Sequence, residues 1–187
     1  MPRVMHRHED KAEVVFITGP AVVIPHNNPL IKVINVVSAQ QMLEAALQYY
    51  SEVDIAIMAA AVADFTPDVS SDVKIKREKD DLMLRLKPTT DIAATLGAKK
   101  SKTQCLVGFA LETNNELANA QTKLKKKNLD LIVLNSLKDS GAGFGHDTNK
   151  ISIIDTNGEQ LTFDLKNKSE VATDIVNVIF DKFFKAD

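Results

Sequence analysis

The sequence has one cysteine, no long hydrophobic run and almost no excess of charge of either sign. A single cysteine, Cys105, excludes a disulfide framework and a cysteine-rich zinc site. No apolar run approaches the roughly 20 residues that cross a bilayer, and no segment of signal-peptide type follows the charged start MPRVMHRHEDK. The sequence therefore predicts a cytoplasmic protein.

Charge and composition exclude some classes of partner. The 187 residues carry a formal net charge of -2, with 44% hydrophobic and 26% charged residues. These values are typical of a globular protein and favour neither a nucleic acid nor a membrane surface as partner. The length predicts one domain with a core large enough to be stable.

Common nucleotide and metal motifs are also missing. The sequence has no GxxxxGK[ST] and no GxGxxG that opens a helix after a strand. The glycines of residues 141–145 precede a predicted hairpin, which favours a turn over a phosphate-binding loop. The four histidines lie in the amino-terminal segment and in separate loops, so they and the cysteine predict no metal site: His6, His8, His26 and His146.

The most informative stretch is residues 54–67, DIAIMAAAVADFTP. Its short apolar run predicts a strand buried on both faces, as at the centre of a parallel sheet. The alanines after the run leave room for a flat group, and Asp64 follows where the strand has ended. Ligands of open α/β sheets bind beyond the carboxyl ends of strands, so this stretch is a candidate site; a buried strand with a polar turn is the alternative.

Strand and helix patterns alternate along the rest of the chain. Residues 69–87 alternate apolar and charged side chains, which predicts an exposed antiparallel ribbon. Asn157-Gly158 predicts a hairpin turn, and an amphipathic helix follows the hairpin. We predict one α/β domain with a Rossmann-like, three-layer, mostly parallel sheet, a projecting ribbon, and a hairpin annex plus helix at the carboxyl end.

Cations and helix starts supply candidate phosphate contacts. Lys74 and Lys76 lie on one side of a predicted strand, and Lys123 and Lys127 lie on one face of a predicted helix. Thr89 or Thr90 is expected to cap the helix that begins near Asp91, where free N–H groups can bind an anion. Each feature alone is more often a solvated surface charge or a simple cap, but together they favour a nucleotide site.

These motifs resemble the phosphopantothenoylcysteine synthetase (phosphopantothenate–cysteine ligase) family, the synthetase half of the bacterial bifunctional coenzyme A enzyme. The resemblance covers about nine-tenths of the chain and rests on six motifs in unbroken order: ITGPAVV (17–23), AAVADFTP (60–67), KIKR (74–77), VGFALETN (107–114), KLKKKNLDLIVLN (123–135) and GFGHDTNKI (143–151).

The resemblance implies a reaction and its participants. The family activates the carboxylate of 4'-phosphopantothenate with CTP, releases pyrophosphate, and lets the amine of cysteine attack the acyl-cytidylate, giving phosphopantothenoylcysteine and CMP. It implies Mg2+ between the phosphates, a homodimer with the ribbon at the subunit contact, and no flavin, because the flavin-binding decarboxylase half is not matched.

The resemblance also implies roles for individual residues. Lys74 would stabilise the transition state of acyl-cytidylate formation, Phe109 would contact the base, and Asp64 would contact base or ribose. The complete set of implied nucleotide contacts is Met58, Ala59, Ala60, Asp64, Lys74, Thr90, Asp91, Ile92, Ala93, Phe109, Lys123 and Lys127.

Two departures from the family pattern are visible. Residues 87–92 read KPTTDI where the usual bacterial pattern is Lys-Asn-Pro-Asp-Ile. The family's first strand and its Asn-x-Ser-Ser-Gly-Lys type phosphate-binding segment have no counterpart. We expect a poorly ordered start at residues 1–11 and a single synthetase-like domain at residues 12–187, in which a missing central strand leaves backbone unpaired.

Three hypotheses follow. The first is the CTP-dependent ligase. The second is a non-catalytic nucleotide-binding remnant, or one half of a split synthetase, which the missing asparagine segment favours. The third is a nicotinamide-dependent oxidoreductase, which the missing GxGxxG disfavours.

Overall fold

The computed structural model describes residues 12–20, 28–69, 71, 73–76, 81–112, 114–136 and 147–184. Every structural statement below concerns these residues. The expected poorly ordered start at residues 1–11, the glycine-rich loop at 141–145 and all four histidines lie outside them.

Strands and helices follow one another along the described chain in the order predicted for an α/β domain. The elements are β1 (Val14–Thr18), β2 (Ile31–Asn35), α1 (Ala39–Tyr50), β3 (Ile55–Met58), β4 (Phe65–Pro67), β5 (Leu86–Pro88), α2 (Ile92–Lys99), β6 (Cys105–Glu112), α3 (Glu116–Lys126), β7 (Leu131–Ser136), β8 (Thr148–Asn149), β9 (Ile151–Asp155), β10 (Gln160–Thr162), β11 (Lys166–Asn167) and α4 (Lys168–Phe183).

Five strands form the main sheet, in the order β10-β9-β7-β6-β3. β3, β6 and β7 are parallel, whereas β9 and β10 are antiparallel. The Asn157-Gly158 hairpin is therefore confirmed, with Gly158 in the left-handed region at φ 84°. The hairpin is not a separate annex, because β9 is apolar on both faces and pairs with β7 of the main sheet. In this pairing Leu131 lies opposite Asp155.

A second sheet contains only the parallel pair β1 and β2, with Val14 opposite Ile31. No ladder joins it to the main sheet among the described residues. The prediction that β3 lies buried at the centre was wrong: β3 is an edge strand of the main sheet, and Ile57 is 44% exposed. The reason is that, in the described part of the chain, β3 has a strand neighbour, β6, on one side only.

The core has two apolar clusters, one on each face of the main sheet, which confirms the three-layer α/β fold. One cluster contains Leu106 and Ile132 and receives side chains of α1, α2 and α3. The other contains Val107 and Val133 and receives side chains of α4. Neighbouring residues of a strand point to opposite faces, so each buried strand contributes to both clusters.

The antiparallel ribbon is present at its base only. β4 and β5 pair with Phe65 opposite Pro88, and the Asp68 N–H donates to the Arg85 carbonyl at 2.9 Å. We call the described residues of 68–85 the arm. The strands predicted within the arm are not formed, because a two-stranded ribbon without a packing partner gains little from burial.

No helix in the described part of the chain combines the length and apolar character that a membrane crossing requires.

Candidate nucleotide site

The carboxyl end of β3 opens into a loop of small residues. Met58 is half-buried against the core, whereas Ala59 and Ala60 are exposed. The Val62 N–H donates to the Ala60 carbonyl at 3.1 Å, which closes a tight turn in this loop. The exposed positions of Ala59 and Ala60 leave open space beside the backbone of this loop.

The loop before α2 is fastened to the loop after β3. The Thr89 N–H donates to the Asp64 carbonyl at 2.9 Å, and the Thr89 hydroxyl donates to the Ala63 carbonyl at 2.6 Å. Two separately predicted segments, Asp64 and residues 90–93, are therefore brought to the same end of the sheet.

Asp91, and not a threonine, is the N-cap of α2. Its Oδ1 accepts from the Ala94 N–H at 3.0 Å, while Thr89 is committed to the β3 loop and Thr90 lies one residue further from the helix. The expectation of a threonine cap was wrong, because the capping oxygen must come from the residue directly before the first turn. No carbonyl of α2 itself can accept a hydrogen bond from the first-turn N–H groups of Ile92 and Ala93.

Asp91 is also an ion-pair partner. Its Oδ2 lies 3.0 Å from Nζ of Lys127. Burial alone would raise the pKa of Asp91, but the hydrogen bonds from Ala94 and Lys127 outweigh it, so the pKa lies below its usual value. Both oxygens of the carboxylate therefore already have partners, and the unpaired groups at this point are the backbone N–H groups of the first turn.

Lys127 is the C-cap residue of α3, and its N–H donates to the Lys123 carbonyl at 3.0 Å, one helical turn earlier. Its position depends on Gly97 in α2, where an added Cβ would lie 1.9 Å from the Lys127 carbonyl oxygen. Asn128, in the left-handed region at φ 52°, donates from Nδ2 to the Gly97 carbonyl at 2.7 Å. The end of α3 thus packs closely against α2 at Gly97.

Lys123 pairs with Glu112, a residue that sequence reasoning missed. Lys123 Nζ lies 2.6 Å from Glu112 Oε1, and Asn119 Nδ2 donates to Oε2 at 3.1 Å. Burial would raise the pKa of Glu112, but the bonds from Lys123 and Asn119 lower it. Glu112 stood within the VGFALETN motif, yet no periodic or local signal connects it with a lysine eleven residues later.

Phe109 is 40% exposed near the carboxyl end of β6. Alternation along β6 places it on the same face as Val107, which belongs to the α4 cluster. Lys123 belongs to α3, which packs on the opposite face through Ala120 and Leu124. A ligand that contacts both must extend across the edge of the sheet at the strand ends.

Lys74 is exposed and lies in the arm, away from the paired base of the ribbon. Residues 73–76 form no strand, so the prediction that Lys74 and Lys76 share one side of a strand was wrong. The arm does not bring Lys74 into a described contact with the lysines of α3.

Within the described ranges, no cluster of three or more histidine, cysteine, aspartate or glutamate side chains could hold a metal ion. Cys105 is 1% exposed, and its burial and the nearby Asp130 raise its pKa to about 12. The thiol is therefore no accessible nucleophile. What the site offers is cations, helix-start N–H groups and open backbone, a set suited to binding phosphates.

The fold is that of an α/β domain whose strand ends present lysines and helix-start N–H groups. The chain belongs to the DNA/pantothenate metabolism flavoprotein C-terminal domain family, whose profile matches residues 5–183. This confirms the resemblance to the synthetase half of the coenzyme A enzyme.

Two curated relatives illustrate the similarity. The chain is 56% identical over 168 residues to a cysteine/cysteine sulfinic acid decarboxylase from an unknown prokaryotic organism, and 45% identical over 168 residues to the coenzyme A biosynthesis bifunctional protein CoaBC of Bacillus subtilis (strain 168). Each alignment covers 90% of this chain but only 46% and 41% of the relatives. The chain thus spans less than half the length of these proteins.

A solved structure, the C-terminal domain of a CoaBC protein, superposes with a TM-score of 0.73 at 36% identity. The match covers 90% of this chain and 73% of the solved chain. The shared fold is therefore that of the CoaBC C-terminal domain.

Proposed function

We propose that this chain takes part in coenzyme A biosynthesis by ligating 4'-phosphopantothenate to cysteine with CTP. The substrate carboxylate attacks the α-phosphorus of CTP and pyrophosphate leaves. The amine of cysteine then attacks the acyl carbon, so that the amide forms and CMP leaves. A reaction of this kind needs no protein nucleophile, because positioning of the substrates and cationic stabilisation of the phosphoryl oxygens lower the barrier.

One observation carries the proposal: the loops after β3 and before α2 are hydrogen-bonded to each other, and each of the two adjoining ion pairs contains one lysine. Lys127 is paired with Asp91 and Lys123 with Glu112. Both lysines are partly exposed, so a triphosphate can compete with the carboxylates for them. Family membership supports the ligase class for the same site.

The remaining contacts follow from position. The base would lie on the exposed ring of Phe109, and the sugar would lie beside Asp64. The loop of small residues at Met58, Ala59 and Ala60 would leave room for both. The phosphates would approach the start of α2, at Thr90 and the N–H groups of residues 91–93. Lys74 would enter from the arm when the arm closes over bound nucleotide.

The described residues build no metal cage of their own, so a Mg2+ ion would be held chiefly by the substrate phosphates, as is usual for this ion. Such an ion supplies charge neutralisation.

We also propose a homodimer formed through the arm. Support comes from the apolar side chains that the arm exposes, which a single copy leaves in water: Val69, Val73, Ile75, Leu82, Met83 and Leu84.

The test is release of CMP and pyrophosphate from CTP with 4'-phosphopantothenate present, and with cysteine added or withheld. Both products with cysteine support the ligase. Pyrophosphate without CMP, with an accumulating acyl-cytidylate, supports activation alone. No release despite CTP binding contradicts the ligase.

Lys74→Gln tests the catalytic assignment. It should slow acyl-cytidylate formation much more than it weakens CTP binding, because Lys74 is assigned to the transition state. Lys76→Gln, two residues away in the same exposed segment, is the matched control and should alter neither. Equal losses of rate and affinity for Lys74→Gln would remove the assignment.

A second candidate is a nucleotide-binding remnant or one half of a split synthetase. The division of the described strands between separate sheets favours it. It predicts CTP binding without turnover, whereas a nicotinamide-dependent oxidoreductase would bind NADH instead.

A further inference from the structure

The turn between β9 and β10 places an exposed asparagine directly before a glycine. Asn157 and Gly158 are both exposed, and Asn157 is the only asparagine of the sequence that a glycine follows. A glycine has no Cβ beside its backbone nitrogen. That nitrogen can therefore approach the side-chain amide carbon of the preceding asparagine, which is the geometry that deamidation requires.

The hydrogen bonds of the turn hold this nitrogen back. The Gly158 N–H donates to the Asp155 carbonyl at 3.1 Å, and the Asp155 N–H donates to the Glu159 carbonyl at 3.1 Å. The nitrogen must lose its proton before it can attack, and the hydrogen bond to the Asp155 carbonyl keeps the proton in place. The closed turn is therefore the unreactive form.

The buried side chain of Asp155 fixes the turn from within. Its Oδ1 accepts from the N–H groups of Asn157 and Glu159, each at 2.9 Å. Only 7% of Asp155 is exposed, so solvent does not replace these two bonds while the hairpin is closed. The backbone on both sides of Gly158 is thus held by one carboxylate.

Lys182 of α4 holds the same carboxylate from the other side. Its Nζ lies 2.7 Å from Asp155 Oδ2 and 2.7 Å from Glu159 Oε2. One cation therefore joins both ends of the turn to the helix. Loss of this cation would leave Asp155 buried without its charge partner and would favour opening of the turn.

We propose that Asn157 is a site of spontaneous deamidation and that the ion pairs of Lys182 restrain the reaction. In the open turn, hydroxide removes the proton of the Gly158 nitrogen, and this nitrogen forms a bond to Cγ of Asn157. The Cγ–Nδ2 bond breaks, and ammonia leaves with a proton taken from water. The resulting succinimide is opened by water at either carbonyl, which gives aspartate or isoaspartate at residue 157.

The product would change the hairpin. Isoaspartate adds one methylene to the backbone between residues 157 and 158, so the bond from Gly158 to the Asp155 carbonyl loses its geometry. The new carboxylate also lies beside Asp155 and Glu159, which already share Lys182. The turn lies at the amino end of β7, opposite the candidate nucleotide site, so the proposal does not rest on the proposed reaction.

The test follows deamidation of the full chain in a mildly alkaline buffer without nucleotide. Peptide mass spectrometry measures the loss of each asparagine, and methylation by a protein isoaspartate methyltransferase detects isoaspartate. In guanidinium chloride, residue 157 should react at least about tenfold faster than any other asparagine, because only its neighbour lacks a Cβ. In the folded protein it should react at least about tenfold more slowly than in the unfolded chain.

Lys182→Met should speed deamidation of the folded protein about tenfold, because the turn then opens more often. Lys166→Met is the matched control, since Lys166 has an ion-pair partner on α4 as well, Asp174 at 2.8 Å, and should leave the rate unchanged. Circular dichroism shows whether both variants fold. Amide exchange of Gly158 in the unchanged protein is a second measurement: at low denaturant concentrations it should increase in parallel with deamidation.

Four results would overturn the proposal. Another asparagine reacting first in the unfolded chain would mean that residue 157 is not the site. Equal rates in folded and unfolded chains would mean that the turn restrains nothing. An unchanged rate in a folded Lys182→Met variant, or equal acceleration in Lys166→Met, would remove the role of Lys182. Because no step uses CTP, none of these results affects the ligase test.

Discussion

Lys123 and Glu112 join α3 to the end of β6 through a contact of 2.6 Å between Nζ and Oε1. The carboxylate is the more buried partner, with 12% of its side chain exposed against 44% for the lysine. Loss of the lysine therefore leaves a largely buried carboxylate without its cation, whereas loss of both charges leaves neither unpaired.

We expect Lys123→Met to lower the free energy of unfolding by about 0.5–1 kcal/mol, a modest cost because solvent screens the half-exposed lysine. The pKa of Glu112 is lowered in the folded state, so its contribution is present above the unfolded value of 4.5 and is lost as pH falls through the lower folded pKa. Urea unfolding at pH 7 and at acid pH should show that the difference in unfolding free energy between wild type and Lys123→Met becomes smaller below pH 4.5.

The double variant Lys123→Met, Glu112→Gln should recover part of the lost stability. Lys125→Met removes an exposed lysine of the same helix and is the control. An equal loss of stability in this control would contradict the pairing.

Asp91→Asn should tighten CTP binding about threefold to tenfold at low salt, because asparagine still caps α2 while Lys127 loses its competing carboxylate. The gain should disappear at high salt. Titration of CTP at two ionic strengths measures it, with Asp174→Asn, which removes the partner of Lys166, as control. Weaker binding by Asp91→Asn would mean that the carboxylate itself contacts the nucleotide.

Gly97→Ala should destabilise the domain by about 1–3 kcal/mol, although alanine is the better helix former. The new Cβ would lie 1.9 Å from the Lys127 carbonyl oxygen, where only backbone can move. Thermal or urea unfolding tests this. Gly19→Ala is the control, since the nearest atom to its Cβ is 4.0 Å away, and it should cost little. No loss in Gly97→Ala would show that α2 and the end of α3 separate easily.

Asp155→Asn should lower the free energy of unfolding at neutral pH by about 2 kcal/mol, because the buried carboxylate accepts hydrogen bonds from Lys182 and from the N–H groups of Asn157 and Glu159. Burial raises the pKa of Asp155, but these bonds lower it further than burial raises it. The stabilisation is therefore present above the unfolded pKa of 3.8 and is lost as pH falls through the folded value. Unfolding measured from pH 7 to pH 3 should show wild type and variant converging at the acid end; a constant difference would exclude the ionised group as its cause.

Cys105 should react with a thiol reagent only when the domain opens, because it is 1% exposed and its pKa is raised to about 12. The labelling rate of the native protein should follow the unfolding rate and increase with urea, while the unfolded chain reacts at once. Rapid labelling without denaturant would mean that β3 and β6, where Ile55 lies opposite Cys105, separate locally.

Local signals predicted local structure. Asn157-Gly158 forms the predicted hairpin turn, because a tight turn depends on residues a few positions apart. The position of β3 at an edge depends on pairing with residues about fifty positions later, which no local pattern of residues 54–67 reveals.

The candidate site was predictable in its segments and not in its contacts. The loop at Asp64 and the start of α2 were both singled out, and the structure fastens one to the other through Thr89. The ion pairs of Lys123 and Lys127 were not foreseen, because each joins elements whose neighbourhood is set by the core.

Lys127 contacts α2 at two places. Its side chain reaches Asp91 at the start of the helix, and its carbonyl presses on Gly97, six residues or about 9 Å further along the axis. A short helix held at both points by one residue cannot tilt or slide unless the end of α3 moves with it. The two segments should therefore open as a single cooperative unit, so any ligand that orders the start of α2 also slows the local opening of the turn at Asn128.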